Sequence, residues 1–379
     1  MLRAALEIQL SARNRRDQFA ALGVCSHAKK TLRSFLRLVV LVLAIPICAA
    51  EAEAIDTGYE IILQTMPSLY WVDDNRLLFA GIRRTDMESA IAAKDIDRVA
   101  RLKKIYIWDS TAKSVRLYAD AREVCFSNGF VSYRVRVDRA GGKEVLREGS
   151  LGAEKELERP LPPQEALRSN FTCRTHWRSE LVPPVRRNHY VVVLREGDGY
   201  LHLAPDHGKE RQAYPRNLTL YRAQSGEAIT LPMTWDENFN QFTIAYSVYR
   251  SAYVLPPQFP RASHSERGNP WPTSQPLVVY LLWADGRTQA ASIPYWPAEY
   301  LGHPRPMKTG WIFGGGKRPK TGGLYLFDGK VVTKVESGFV REIVVSPDGC
   351  KAAVGINNKP YDMGTPINLK VFNFCAGRQ

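Results

Sequence analysis

The chain has 379 residues, 45% hydrophobic and 10% aromatic, with 27 Gly, 24 Pro and a formal charge of +14. That mix suits a globular fold of many short elements and turns and excludes a disordered chain; no run of about 20 apolar residues occurs, so no spanning helix is expected. The charge divides into +4 over residues 1–54 and +10 over the remainder, spread along the sequence; it favours acidic partners and also serves solubility.

In chain order, Lys29, Lys30, Arg33 and Arg37 lead into the apolar run 38–45, which Pro46 breaks. Ala50-Glu51-Ala52 and Ala52-Glu53-Ala54 then satisfy an A-x-A cleavage site. These are the three parts of a secretory signal, so residues 1–54 are expected to be a cleaved leader. Residues 55–379 are then a single domain, periplasmic or secreted. Arg15-Arg16 lies too far from the apolar core for a twin-arginine signal, and Ile47 before Cys48 does not suit a lipobox. Cys25 and Cys48 leave with the leader. Cys125, Cys173, Cys350 and Cys375 remain, an even set that favours disulfides in an exported chain.

The mature chain is a succession of hairpins. Residues 68–72 turn at Asp73-Asp74-Asn75 into Leu77–Ala80, and Lys104–Asp109 turns at Ser110–Ala112 into Val115–Tyr118. Tyr190–Leu194 turns at Gly197–Gly199 into Tyr200–Leu203, and Leu218–Tyr221 turns at Gln224–Gly226 into Ala228–Leu231. Val279–Trp283 turns at Asp285-Gly286, Leu324–Phe327 turns at Asp328-Gly329, and Glu342–Val345 turns at Ser346–Gly349. Asp-Gly and related turns supply the positive φ that tight hairpins need.

Strand-only repeats of about 40–55 residues are the signature of a β-propeller, because each small sheet has two apolar faces that only stacking can cover. The count gives six blades, with limits near 67–120, 121–187, 188–234, 235–297, 298–337 and 338–375; seven is the alternative. The last blade shows three strands, and Tyr59–Leu63 is expected to supply its fourth and close the ring. Insertions fall near 82–103, 150–187 and 255–276. In the first, a Thr85/Glu88 capping box and the spacing of Ile91, Ile96, Val99 and Leu102 predict a helix over 86–101. The third, with six prolines, reads as a long loop.

Val345-Ser346-Pro347-Asp348-Gly349-Cys350-Lys351-Ala352-Ala353-Val354 resembles the S-P-D-G-K repeat of TolB-type periplasmic propellers, and the Tyr106–Asp109 strand is similar to one from the WD-repeat superfamily. The resemblance implies a fold and no function. In the blade reading Cys350 and Cys375 face each other across paired strands, within bridging distance. Elimination leaves Cys125 with Cys173.

The ligand-binding candidates are few. Gly314–Gly323 holds Lys317, Arg318 and Lys320, and successive glycines can turn N–H groups toward an anion. It fits neither a phosphate loop nor a dinucleotide fingerprint, and otherwise reads as a loop between strands. His202, Asp206 and His207 cluster, but Pro205 argues against a helix presenting them to a metal, and the simpler reading is a solvated loop near one end of the propeller channel. Trp271 and Trp296, with Tyr295 and Tyr300, offer flat faces for a sugar or peptide, or pack loops on the blades. No G-x-S-x-G occurs, and no catalytic residue, metal site or cofactor is expected. The favoured function is a monomeric binding or scaffolding module for a protein or an anionic envelope polymer, without nucleic acid. The alternative is a hydrolase or lyase acting on a polysaccharide or peptide. An enzyme would bring two or more carboxylates or histidines with shifted pKa values to one channel mouth.

Overall fold

The structure is a computed structural model that describes residues 52–61, 69–136, 144–156, 190–195, 198–205, 216–222, 225–235, 244–258, 277–293, 301–315, 320–357 and 367–376. The described part is all-β apart from two short helices. Strands β1 (Glu53–Ile61), β2 (Leu69–Trp71) and β3 (Arg76–Arg83) precede helices α1 (Arg84–Ala92) and α2 (Ile96–Leu102), which lead into β4 (Lys104–Asp109) and β5 (Ser114–Ala119). There follow β6 (Ala121–Ser127), β7 (Phe130–Arg136), β8 (Glu144–Ser150) and β9 (Lys155–Glu156), then β10 (Tyr190–Val193), β11 (Tyr200–Pro205), β12 (Arg216–Tyr221) and β13 (Ala228–Trp235). The chain continues through β14 (Ala245–Ser247), β15 (Ala252–Gln258), β16 (Leu277–Leu282) and β17 (Thr288–Ile293) to β18 (Leu301–Met307), β19 (Gly310–Gly315), β20 (Gly323–Phe327) and β21 (Val332–Ser337). It ends with β22 (Phe339–Val345), β23 (Lys351–Asn357) and β24 (Ile367–Asn373).

β6–β9, β10–β13, β14–β17 and β18–β21 each form a four-stranded antiparallel meander. The remaining strands make one eight-stranded sheet, in which β22-β23-β24-β1 meets β2-β3-β4-β5. β1 pairs antiparallel with β24 from Glu53↔Asn373 to Ile61↔Ile367, and reaches β3 only at Tyr59↔Arg83 and Glu60↔Ile82.

Burial follows strand position and explains the sequence pattern. The middle strands β3 and β23 are buried throughout from Leu77 to Ile82 and from Ala352 to Asn357, while others such as β12 bury alternate residues. Fourth strands such as β5 and β21 carry Lys, Arg and Glu and are mostly exposed. Side chains alternate across a strand, so each middle strand feeds two cores. Leu77, Phe79, Tyr106 and Trp108 pack with Ala353, Leu369 and Val371 of the last strands, while Leu78, Ala80, Ile105 and Ile107 pack with Val124, Val131 and Tyr133 of the next sheet. Likewise Tyr253 and Leu255 join the β10–β13 core, and Ala252 and Val254 join Phe313 and Tyr325. Met307, Ile312 and Leu324 pack against Ile343, Val354 and Phe372. Between β6–β9 and β10–β13 the Arg195 guanidinium donates to Asn128 Oδ1.

Turn chemistry is repeated. Asp73, Asp109, Asp285 and Asp328 each accept backbone N–H bonds from residues two or three ahead, the local Asx-turn that starts the hairpin. Those amides, with nearby Arg or Lys, hold Asp73, Asp285 and Asp328 below the usual carboxylate range. In the last turn Ser346 Oγ accepts from Lys351 N at 2.9 Å, and Cys350 is bonded to Cys375, with Cα atoms 5.3 Å apart. Cys125 is also disulfide-bonded; Cys173 lies outside the described residues.

The insertion near 82–103 departs from expectation. α1 starts at Arg84 directly from β3, so Thr85 falls inside the first turn and the capping box does not form; Arg83, at the N-cap, makes no side-chain cap bond. Lys94, with φ 54°, breaks the helix, and Asp95 caps α2 by accepting from Arg98 N at 2.8 Å. The buried face of α1 is Met87 and Ala90, whereas Ile91 is exposed. The third insertion also starts later than residue 255, because β15 runs to Gln258. Its ladder to β16 shifts register between Leu255 and Gln258, which accommodates Pro256 and Pro257.

At the β1–β3 junction Glu60 is buried, 6% exposed. Arg84 binds Asp56 through two bonds, 2.7 and 3.0 Å, and its Nε stands 3.6 Å from Glu60. Among the described residues Glu60 Oε2 has no hydrogen-bond partner. Burial pushes the Glu60 carboxyl up to about 7, with Arg84 opposing.

Candidate functional site

The first strands of four β-units bring ionisable side chains into mutual influence. β2 supplies Tyr70, β6 supplies Arg122 and Glu123, β18 supplies Arg305, and β22 supplies Glu342; Lys103 joins them from the end of α2. The Glu342 carboxylate acts electrostatically on Tyr70, Lys103 and Arg305 alike, and Glu123 and Arg122 act on Lys103.

Bulges lie at these residues. The ladder shifts register between Ala121 and Val124 on β6, between Gly302 and Arg305 on β18, and between Val340 and Glu342 on β22. A bulge adds an unpaired residue and re-aims the side chain beside it, and bulges are frequent next to functional sites.

Desolvation dominates here. Lys103 is 4% exposed, and burial lowers its ammonium to about 8 against the pull of Glu123 and Glu342. Arg305 donates Nε to Ile343 O at 3.2 Å and Nη1 to Pro304 O at 3.0 Å; burial lowers it to about 10, with Glu342 opposing. Burial raises the Tyr70 hydroxyl above its ordinary value, and Glu342 adds to the rise. The arrangement can offer cationic donors to an acidic group and hold a lysine near its titration point at neutral pH. Among the described residues no three His, Cys, Asp or Glu side chains converge as metal ligands, and no helix is long and apolar enough to cross a membrane.

None of these residues was singled out by sequence reasoning, although a signal existed. Arg122-Glu123-Val124-Cys125-Phe126-Ser127 and Arg341-Glu342-Ile343-Val344-Val345-Ser346 repeat one pattern on two first strands. The expected candidates lie elsewhere. His202 is half-buried within β11, opposite Val191 and Thr219, its ring edge-on to Tyr221 at 6.0 Å; it belongs to a strand and not to a loop. Lys320 is exposed, and its carbonyl accepts from Lys334 Nζ at 3.3 Å. Gly314, Gly315 and Gly323 belong to β19 and β20 rather than to a loop. A Cβ on Gly314 would stand 2.7 Å from Val340 Cβ, so that glycine serves close sheet packing. Lys317, Arg318, Asp206, His207, Trp271 and Trp296 lie outside the described residues.

No family model matches the sequence, and no curated protein matches it. Among solved structures, the β-propeller domain of the trilobed protease from Pyrococcus furiosus is similar at 11% identity and TM-score 0.29, over 80% of this chain and 83% of that one. Streptogramin B lyase is similar at 11% identity and TM-score 0.31, over 85% and 97%. The apo AtxE2 isopeptidase is similar at 11% identity and TM-score 0.33, over 82% of this chain; the match spans about half of the isopeptidase, 48%. At these values the chemistry of those proteins does not carry over to this chain.

Proposed function

We propose that residues beyond the leader form a closed six-bladed propeller, exported to the periplasm or beyond, that serves as a binding or scaffolding module. Its partner is a protein or an anionic envelope polymer, engaged at the axis. The observation that carries this reading is the action of one carboxylate, Glu342, on Tyr70, Lys103 and Arg305 from other parts of the chain. First strands that face a common axis account for it. Five apolar cores or seams and the Arg195–Asn128 bond link each β-unit to the next, and β1 completes the last. At the axis the cations Lys103, Arg122 and Arg305 outnumber Glu123 and Glu342.

The axis reading is tested on a heparin column. Arg122→Gln lowers the eluting salt more than Arg287→Gln, which removes an equal charge from an exposed turn; equal shifts overturn it. Cleavage after Ala52 leaves β1 whole, whereas cleavage after Ala54 removes two residues paired with β24. The mass of the exported protein decides between a start at Glu53, which keeps β1 whole, and the start at Ile55 that a leader over residues 1–54 gives.

A second reading, a hydrolase or lyase on a polysaccharide or peptide, is favoured by one observation: two carboxylates act on a buried lysine that titrates near 8. It requires turnover that Glu342→Gln abolishes. Failure to cleave labelled peptidoglycan and casein counts against it.

A further inference from the structure

A second site lies between the β14–β17 and β18–β21 sheets, where a cleft of about 470 Å³ opens beside the β14–β15 and β18–β19 turns. Its volume falls in the range of small-ligand sites. Arg250, Lys308, Thr309, Trp311 and Asp328 line it. The Arg250 guanidinium donates to Gln289 Oε1 at 3.2 Å, and among the described residues neither it nor the exposed Lys308 ammonium is paired with a carboxylate. Among the described residues Asp328 is the only acidic one lining the cleft, and its Oδ1 is taken by the amides of Lys330 and Val331. Net charge in the cleft is therefore positive. Thr309 Oγ1 is buried with no hydrogen-bond partner among the described residues, a deficit that a ligand oxygen would relieve. Trp311 is half-buried and lines the cleft.

The rim is held by the Ser346–Gly349 turn. Lys308 N donates to Gly349 O at 2.9 Å, and a Cβ on Gly349 would stand 2.7 Å from the Tyr249 ring and 2.9 Å from Lys308 N. The Cys350–Cys375 bridge anchors the same turn.

We propose that this cleft binds an anionic sugar ring, its carboxylate on Arg250 and Lys308, its apolar C–H face on Trp311, and a ring hydroxyl on Thr309. Two cations that have no carboxylate partner among the described residues select the carboxylate. The indole and the unsatisfied hydroxyl select a ring with one apolar face and several oxygens, rather than a bare anion. The site is independent of the axis charges.

Calorimetric titration of the full mature chain with D-glucuronate, D-glucose and inorganic phosphate tests the proposal, and a glucuronate-containing disaccharide separates a polymer end from a free sugar. Glucuronate is expected to bind at least about ten-fold tighter than glucose or phosphate. Lys308→Gln and Arg250→Gln each weaken it by about five-fold or more with an unchanged melting temperature, and Arg122→Gln leaves it unchanged. Equal binding of phosphate, equal binding of glucose, or no binding at about 10 mM glucuronate overturns the proposal. Loss of binding in Arg122→Gln would instead place the ligand at the axis, and also overturns it.

Discussion

The Glu60 junction and the Glu342 cluster both bury ionisable groups, but their partners come from different distances. At the junction, Asp56, Glu60 and Arg84 lie within 28 residues of one another, on β1 and at the start of α1. One arginine serves two carboxylates; it binds Asp56 closely and leaves Glu60 Oε2 unsatisfied. In the cluster the groups come from four β-units, and Glu342 is more than two hundred residues from Tyr70, Lys103 and Glu123. Desolvation of similar size therefore has two meanings. At the junction it is the consequence of wedging β1 between β24 and β3. In the cluster it exists only when separate sheets are assembled, which is what a site built by tertiary structure looks like.

The two regions share a foundation, and the largest expected effect removes it. Replacing Cys350 and Cys375 by Ser frees a loop of 25 residues and is expected to lower stability by about 3 kcal/mol. Because β24 carries β1, the loss falls first on the junction; hydrogen exchange should rise in β1 and β24 before β2–β5. Uniform exchange would show that the junction does not depend on the bridge.

The next effects separate the two regions by sign. Glu60 holds its proton more tightly folded than unfolded, so between about pH 4.5 and 7 the native state binds more protons and stability falls as pH rises. Glu60→Gln should remove that fall, a difference of up to about 3 kcal/mol in urea unfolding at pH 8 relative to pH 4.5. Lys103 is the opposite case: folded, it releases its proton near 8 instead of 10.5, so stability rises with pH across that window. Lys103→Met should abolish the rise, by about 1–3 kcal/mol once partial solvation by Glu123 and Glu342 is included. Slopes of the same sign in both variants would break the comparison.

Much of the fold was legible because its signals are local. Asp73, Asp285 and Asp328 sit in the turns that the sequence marks, and the apolar run Leu77–Ala80 marks a strand, which the structure extends to Arg76–Arg83 and buries from Leu77 to Ile82. The Cys350–Cys375 bridge was legible to within one residue: the register Lys351↔Asn373 sets Cys350 against Phe374, and Cys375 follows it. The helical insertion was misjudged in its start and its buried face because β3 continues straight into α1, and packing on β1 and β3 chose Met87 and Ala90 over Ile91. The candidate site was not legible. Arg122-Glu123 and Arg341-Glu342 look like solvated dipeptides in sequence; His202, on a strand in the hairpin reading but in a loop in the reading of the histidine cluster, is paired on both sides within β11.

The sequence by itself determined the all-β class, the hairpin turns and one disulfide, since each depends on residues close in sequence or nearly opposite at the ends of paired strands. Only the tertiary structure decided which charges meet, and bulges on β6, β18 and β22 fall at or beside Glu123, Arg305 and Glu342. It also decided where a cleft opens, because Tyr249, Lys308 and Gly349 become neighbours only when β14, β18 and β22 are brought side by side. Pattern fixes the direction of a side chain within one sheet; the contact between sheets depends on how their faces pack.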